Sequence, residues 1–352
     1  MNAPPTDIPA PKGLALVVIP CLNEEAHIEH VVTTLIADAD DIDMALIVAD
    51  GGSTDRTRAI VQRLAAADPR IVLINNSKRI QAAGVNAAVR MYGYAFQFLI
   101  RADAHAAYPI QYCQELLRVQ SRTQADSVVV SMRTSGSSCF QRAAATAQNS
   151  ILGNGGSAHR NTAADRWVDH GHHALIKIDA FNAIGGYDET FSHNEDAEFD
   201  VRLIASGRHI FHTGETQVTY YPRDSAIGLF RQYSNIGRGR ARNFLKHRKN
   251  TKLRHLILIA VAPACCLILL APLSGIFALP GLAWIFLCLG YGVTLGYRSR
   301  DLCAAAAGVA AIAMQAGWSF GFVRSLIAEL LKFRKKRALE KLRSPTQSGI
   351  KP

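Results

Sequence analysis

One stretch limits this chain more than any other: from Leu256 to Val323 it carries almost no charge, interrupted only by Arg298, Arg300 and Asp301. A run that apolar belongs in lipid, because no single globular core of this size would absorb it. It divides into segments near Leu256–Leu273, Ile276–Tyr297 and Leu302–Val323. The first contains Pro263 and is barely long enough to span, and the third is rich in Ala and Gly. Basic residues before the first, between the second and third, and after the third all favour the cytoplasmic side, which three full spans cannot satisfy. The expected arrangement is a hairpin of the first two segments with a poorly inserted or re-entrant third.

The remaining residues read as ordinary globular sequence, long enough for one large domain. The formal net charge of +11 concentrates at Lys246 to Lys249, Lys252, Arg254 and Lys332 to Arg337. Basic clusters beside apolar spans point to anionic lipid, and no nucleic-acid recognition motif accompanies them. The seven cysteines show no metal-ligand spacing and read as small hydrophobes in a reducing compartment. Met1 to Pro11 is polar and Pro-rich, and Leu14–Ile19 is too short for a signal segment. The division expected is a disordered 1–12, a catalytic domain over 13–228, a basic amphipathic membrane-proximal segment over 229–255, membrane or re-entrant helices over 256–323 and a basic cytoplasmic tail over 324–352.

Within the soluble part, short apolar runs alternate with helical patterns. Leu14–Ile19 and Met44–Ala49 read as buried strands, each followed by a helix whose apolar residues recur every three or four positions. Arg70–Ile74 and Phe96–Ile100 continue the rhythm. Such a βαβαβ order predicts a parallel sheet with a ligand site along its C-terminal edge. Four loops emerge there: Pro20-Cys-Leu-Asn23-Glu24-Glu25, Asp50-Gly-Gly-Ser-Thr-Asp55, Ala83-Gly84-Val-Asn86 and Arg101-Ala-Asp103-Ala-His105. None is a Walker loop or a Gly-x-Gly-x-x-Gly fingerprint. Asp50 could accept hydrogen bonds from a base or ribose, and Lys78 and Arg79 could face phosphate. In an extended segment Asp103 and His105 share one side, so carboxylate and imidazole could hold a divalent cation against a diphosphate.

Taken in order, these loops resemble the family 2 inverting glycosyltransferases of GT-A fold. Gly185-Gly186-Tyr-Asp-Glu189 followed by Glu195-Asp196 extends the resemblance to roughly Leu14–Gly214, and Arg-x-Asp-Ala-His before Tyr108-Pro109 is similar to the branch of ExoA-like exopolysaccharide glycosyltransferases. The resemblance implies an α/β GT-A domain, Rossmann-like with a mostly parallel sheet, followed by C-terminal transmembrane helices. It implies a nucleoside contact at Asp50 and a Mg²⁺ or Mn²⁺ site at Asp103 with His105, which stands where the family usually has a second Asp. Pro20, Asn23, Glu24, Lys78, Gly84, Asn86 and Arg101 are assigned with Asp50 to the donor site. Asp196 matches the catalytic base, with Glu195 beside it orienting the acceptor.

Inverting transfer from a nucleotide diphosphate needs one carboxylate to take the acceptor proton and a cation to steady the leaving diphosphate. His170, His172 and His173 could add a metal ligand or phosphate donor. Arg231, Arg238, Arg240 and Arg242 suit a diphosphate or lipid phosphate, or else a solvated collar at the membrane. Gln232-Tyr-Ser-Asn235-Ile236 lacks the Arg and Trp of processive synthases, which favours single addition. The function expected is a membrane-anchored, cytoplasm-facing enzyme that moves one sugar from a UDP-sugar to a lipid-linked or exopolysaccharide acceptor at the inner membrane. The alternatives are a polyprenyl-phosphate glycosyltransferase and a non-catalytic membrane scaffold of the same fold.

Overall fold

The computed structural model describes residues 13–154, 164–248 and 253–343. The expected N-terminal arm and the end of the basic tail lie outside them. The first half runs β1 (Gly13–Cys21), α1 (Ile28–Ile36), β2 (Met44–Asp50), α2 (Thr57–Ala67), β3 (Ile71–Asn75), α3 (Gln81–Tyr92), β4 (Phe96–Arg101), β5 (Ala106–Ala107), α4 (Tyr112–Thr123) and β6 (Ser127–Thr134). There follow α5 (Cys139–Asn149), α6 (Ile151–Asn154), β7 (Arg166–Val168), β8 (His172–Lys177), α7 (Ile178–Ala183), α8 (Glu195–Ala205) and β9 (Ile210–Tyr220). The chain ends with α9 (Ala226–His247), α10 (Leu253–Ile268), α11 (Leu279–Ser299), α12 (Leu302–Ala305) and α13 (Ala307–Arg343).

The strands form one sheet in the order β3-β2-β1-β4-β8-β6-β9-β5, with β7 paired to β9. β1 to β4 are mutually parallel, as the alternating pattern predicts. Period-two alternation sends Val17 and Ile19 to one face, against Ile28 and Leu35 of α1 and Leu116 of α4. Leu16 and Val18 go to the other, against Val85 and Val89 of α3, Phe181 and Phe199. Both faces are covered, which is why these strands read as continuous apolar runs.

Two features open the site. The strand order reverses between β1 and β4, the switch point where open α/β sheets bind ligands. Pairing there stops at Val18↔Arg101, and two residues on Pro20 has no N–H with which to extend the ladder. β8 then runs antiparallel to β4, pairing Ile100 with Leu175. Its N-terminal histidines therefore arrive beside the C-terminal end of β4.

The apolar region forms helices of unequal length. α11, with the turn before it, and α12–α13 supply the two helices long and apolar enough to cross a membrane, over Gly275–Ser299 and Leu302–Lys332. The first segment forms the shorter helix α10, which carries Pro263 within it. Proline leaves the carbonyl four residues back without a donor. Ser319 of α13, fully buried, supplies one: its hydroxyl donates to Ile259 O at 3.1 Å and accepts from Ala262 N at 2.8 Å. α13 in turn lies along α9 at backbone contact. A Cβ on Gly237, Gly317 or Gly321 would collide with the carbonyl of Trp318, Phe230 or Ser234 respectively.

The reading of every cysteine as a free small hydrophobe is corrected at one pair. Cys139, at the start of α5, forms a disulfide with Cys303 of α12, while Cys21, Cys113, Cys265, Cys266 and Cys288 are free. Cys139 stands on the first turn of α5, fixed by a capping box between Ser138 and Gln141, and Arg142 one turn on pairs with Asp301 at 3.3 Å. These contacts carry the two cysteines to one another across 164 residues of sequence.

Candidate active site

The loops after β1 and β2 are stitched together by side-chain to backbone bonds. Asn23, in the left-handed region at φ 56°, accepts from Thr54 N at 2.8 Å, and its own N–H donates to Ser53 Oγ at 2.9 Å. Glu24 N donates to Thr57 Oγ1 at 2.8 Å. Asp50 anchors the pair of loops from inside. It accepts from Gly52 N, Ser53 N, Ser53 Oγ and Arg58 Nη1 at 2.5–3.1 Å. Burial raises its pKa, but Ser53 and Arg58 outweigh that and hold the carboxyl below its ordinary range. A direct bond from Asp50 to a nucleoside requires one of these four donors to be released. Arg79 closes the loop, donating to Gly51 O at 2.8 Å and Gly52 O at 3.1 Å.

Three residues assigned to the donor site make contacts within the scaffold. Gly84 faces β2, where a Cβ would meet Asn76 Nδ2 at 2.9 Å and Ala49 Cβ at 3.1 Å. Asn86 clamps the glycine turn before α8: its amide donates to Tyr187 O at 2.8 Å and accepts from Tyr187 N at 3.0 Å. Lys78 pairs with Glu189 at 2.5 Å, and Glu189 also accepts from Asn86 and Arg90. These contacts push the Glu189 carboxyl down to about 2, Lys78 contributing most.

The end of β4 gathers the charged residues. Arg101 is buried, and its Nη2 lies 2.8 Å from Gln81 Oε1, 3.1 Å from Glu195 Oε1 and 3.7 Å from Asp103 Oδ1. Its guanidinium also covers the Tyr187 ring at 5.7 Å. One side chain thus links β4 and the loop that carries Asp103 to the first residue of α8. Tyr108 Oη accepts from Asp103 N at 2.5 Å, turning the chain sharply after the strand.

Asp103 Oδ1 is buried without a hydrogen-bond partner, and Oδ2 has His172 Nε2 at 3.7 Å. A buried oxygen of this kind is costly to leave bare, and it is the atom a hard cation would take. His105 Nδ1 lies 3.0 Å from Glu24 Oε1. A carboxylate on Nδ1 fixes the tautomer whose Nε2 remains for a cation. Among the described residues no three His, Cys, Asp or Glu side chains form a metal cage. The donor set therefore suits Mg²⁺ or Mn²⁺, which complete their shell with phosphate oxygens and water, better than a structural zinc.

Glu195 and Asp196 open α8, following Asn194 at φ 68°. Asp196 Oδ1 accepts from Ala197 N at 2.7 Å. Burial raises the Asp196 carboxyl, and His170, His173 and Arg101 outweigh it, leaving it below the ordinary value. Glu195 moves the opposite way, because burial outweighs the attraction of Arg101. The two neighbouring carboxylates are thus shifted in opposite directions, Asp196 being the one favoured as carboxylate. His170 and His173 do not meet Asp103; both bind Asp200 at 2.7 Å. Asp200 and Tyr187 escaped the sequence reading, although Asp200 stands four residues after Asp196 on one helix face. Of the four arginines on α9, Arg242 is bound to Thr190 O at 2.6 Å and Arg240 Nη2 lies 3.4 Å from His255, while Arg231 and Arg238 are exposed.

Beside this cluster is a cavity of about 1070 Å³ lined by Asn23, Glu24, His105, Gln141, Tyr220 and Arg223, among others. The loops after β1, β4 and β9 converge on it.

The description "Glycosyl transferase family 2" matches residues 16–185. The succinoglycan biosynthesis protein ExoA of Rhizobium meliloti (strain 1021) is 50% identical over 324 residues, covering 92% of this chain and 97% of that one. The mannosyltransferase PcManGT from Pyrobaculum calidifontis, solved with GDP-Man and Mn²⁺, superposes with a TM-score of 0.58 at 16% identity, over 93% of this chain and 91% of that one. That last likeness fixes the GT-A fold. With half its residues shared with ExoA along nearly the whole chain, this protein belongs to the family 2 glycosyltransferases, as an ExoA-like enzyme with apolar C-terminal helices.

Proposed function

We propose that the enzyme transfers one sugar, with inversion, from a UDP-sugar to a lipid-linked or exopolysaccharide acceptor at the cytoplasmic face of the inner membrane. The observation that carries this reading is the Arg101 bridge, which joins Asp103 at the end of β4 to Glu195 at the start of α8. One guanidinium nitrogen thereby ties the carboxylate assigned to the cation to the helix start that carries Asp196. Asp196 takes the proton from the attacking hydroxyl, and Glu195, with its raised pKa, hydrogen-bonds the acceptor. Asp103, with His105 Nε2, would hold Mg²⁺ or Mn²⁺, which neutralises charge on the departing diphosphate. Glu24 keeps the His105 ring in register, and Asn23 and Asp50 fix the loops over which the nucleoside lies. The lipid acceptor is supported by α9, whose exposed Arg231 and Arg238 lie on a helix packed against α13.

Radiolabelled UDP-sugars offered to membranes with and without the protein test the reading. One sugar is expected to enter a lipid-extractable product, and Asp196→Asn is expected to reduce transfer by about 10²-fold or more. A sugar monophosphate lipid as product, or full activity in Asp196→Asn, would refute it.

A further inference from the structure

α9 carries two stripes at helical spacing, and they meet different parts of the molecule. Phe230, Ser234, Gly237 and Ala241 lie on the apolar α13, against Gly317, Trp318 and Gly321. Gly239, Arg242 and Lys246 lie on the segment that leads into α8. Gly239 has no room for a Cβ beside His193 O, and Arg242 donates to Thr190 O at 2.6 Å while its guanidinium covers the Phe191 ring at 4.7 Å. Lys246 Nζ donates to Asp188 Oδ2 at 2.7 Å and to Glu198 Oε1 at 2.7 Å. One ammonium therefore closes the segment 188–198 at both ends, and Glu195 and Asp196 lie inside the closure. Glu198 is its fixed point: at 0% exposure it also accepts from Arg202 Nη2 at 2.7 Å, and Arg202 reaches on to Gly186 O at 2.8 Å. A carboxylate this deep stays where its cations are.

We propose that Lys246 is a positioning residue for the transfer step: from a helix seated on α13 it holds Asp188 and Glu198 together and so sets where the start of α8 places Asp196. The proposal rests on the reading of Asp196 as the base. Lys246 belongs by sequence to the basic cluster read as lipid-facing, yet its ammonium is bound to two carboxylates of the catalytic domain. A displacement of about 1 Å at a reacting group costs on the order of 10²-fold in rate, so a strut that fixes the α8 start matters to the chemistry without touching substrate. It also makes the placement of the base depend on how α9 packs against the apolar helices.

The test uses the full-length protein in membranes solubilised with a neutral detergent, which supplies no anionic lipid to the lysine. Transfer of label from radiolabelled UDP-sugar into lipid-extractable product is followed. Lys246→Met is expected to lower the rate at saturating donor by about tenfold or more. KM for the donor should stay within about twofold, and Lys246→Arg should restore most of the rate. In the purified protein, amides of residues 189–197 are expected to exchange hydrogen roughly tenfold faster in Lys246→Met, with those of β1 to β3 unchanged. Glu198 keeps Arg202 and His247 in that variant, so its charge stays paired. If Lys246→Met nonetheless fails to fold, Asp188→Asn opens the other end of the closure and is read in the same way. An undiminished saturating rate, a donor KM that rises in step with the lost rate, or unchanged exchange in 189–197 overturns the proposal. Asp196→Asn separates the two readings. If it keeps activity the base assignment is lost, and if it is inactive while Lys246→Met transfers at the wild-type rate, only the role of Lys246 is lost.

Discussion

At the residue scale the site is a set of polar atoms whose partners are almost all internal, so the few exceptions carry the chemistry. Asp103 Oδ1 is one of them. Asp103→Asn is expected to weaken Mn²⁺ binding at least tenfold by isothermal titration with UDP present, and His105→Ala by less, since His105 also serves Glu24. Unchanged affinity in both would remove the cation from this corner. The Lys78–Glu189 pair makes a different prediction. A carboxyl depressed to about 2 stabilises the fold above its unfolded pKa near 4.5, and that contribution disappears as pH falls through about 2. Because Lys78 is mostly exposed, solvent screening leaves about 1 kcal/mol. Glu189→Gln should therefore lower the urea midpoint at pH 7, and the difference from wild type should shrink by pH 3.

Among the elements, α9 and α13 decide how the catalytic domain meets the apolar helices. Their glycines place backbone on backbone, and Gly239 brings α9 equally close to His193 at the entrance to α8. Gly321→Val should separate the two helices and lower the melting temperature in micelles by several degrees, read by circular dichroism. Ser319→Ala should cost about 1–2 kcal/mol, because Ile259 O then has neither the proline nor the hydroxyl as donor. An equally stable Ser319→Ala protein would mean that Ile259 O finds another donor.

For the whole molecule, the Cys139–Cys303 bridge and the proposed cytoplasmic orientation make one joint prediction. Disulfides rarely persist in a reducing cytoplasm. Alkylation in intact cells is expected to label both cysteines, whereas purified protein kept in air carries the bridge and melts higher than the same protein after reduction. Blocked cysteines in intact cells would instead put this face of the protein in an oxidising compartment.

Much of this was legible in the chain itself. Buried parallel strands need apolar side chains on both faces, so Leu14–Ile19 and Met44–Ala49 announced the sheet, and charge-free segments announced the apolar C-terminal helices. Motif order singled out Asp103, Glu195 and Asp196, and the fold sets Asp103 and Glu195 on one guanidinium, that of Arg101. What the sequence could not carry was which polar group answers which. Hydrogen bonds are short and directional, and partners 100 residues apart, such as Asn86 and Tyr187, meet only once the sheet order is set. The contacts of Asn86 with Tyr187 and of Gly84 with Ala49, of His170 and His173 with Asp200, and of Ser319 with the carbonyl left by Pro263 were therefore set by tertiary packing alone.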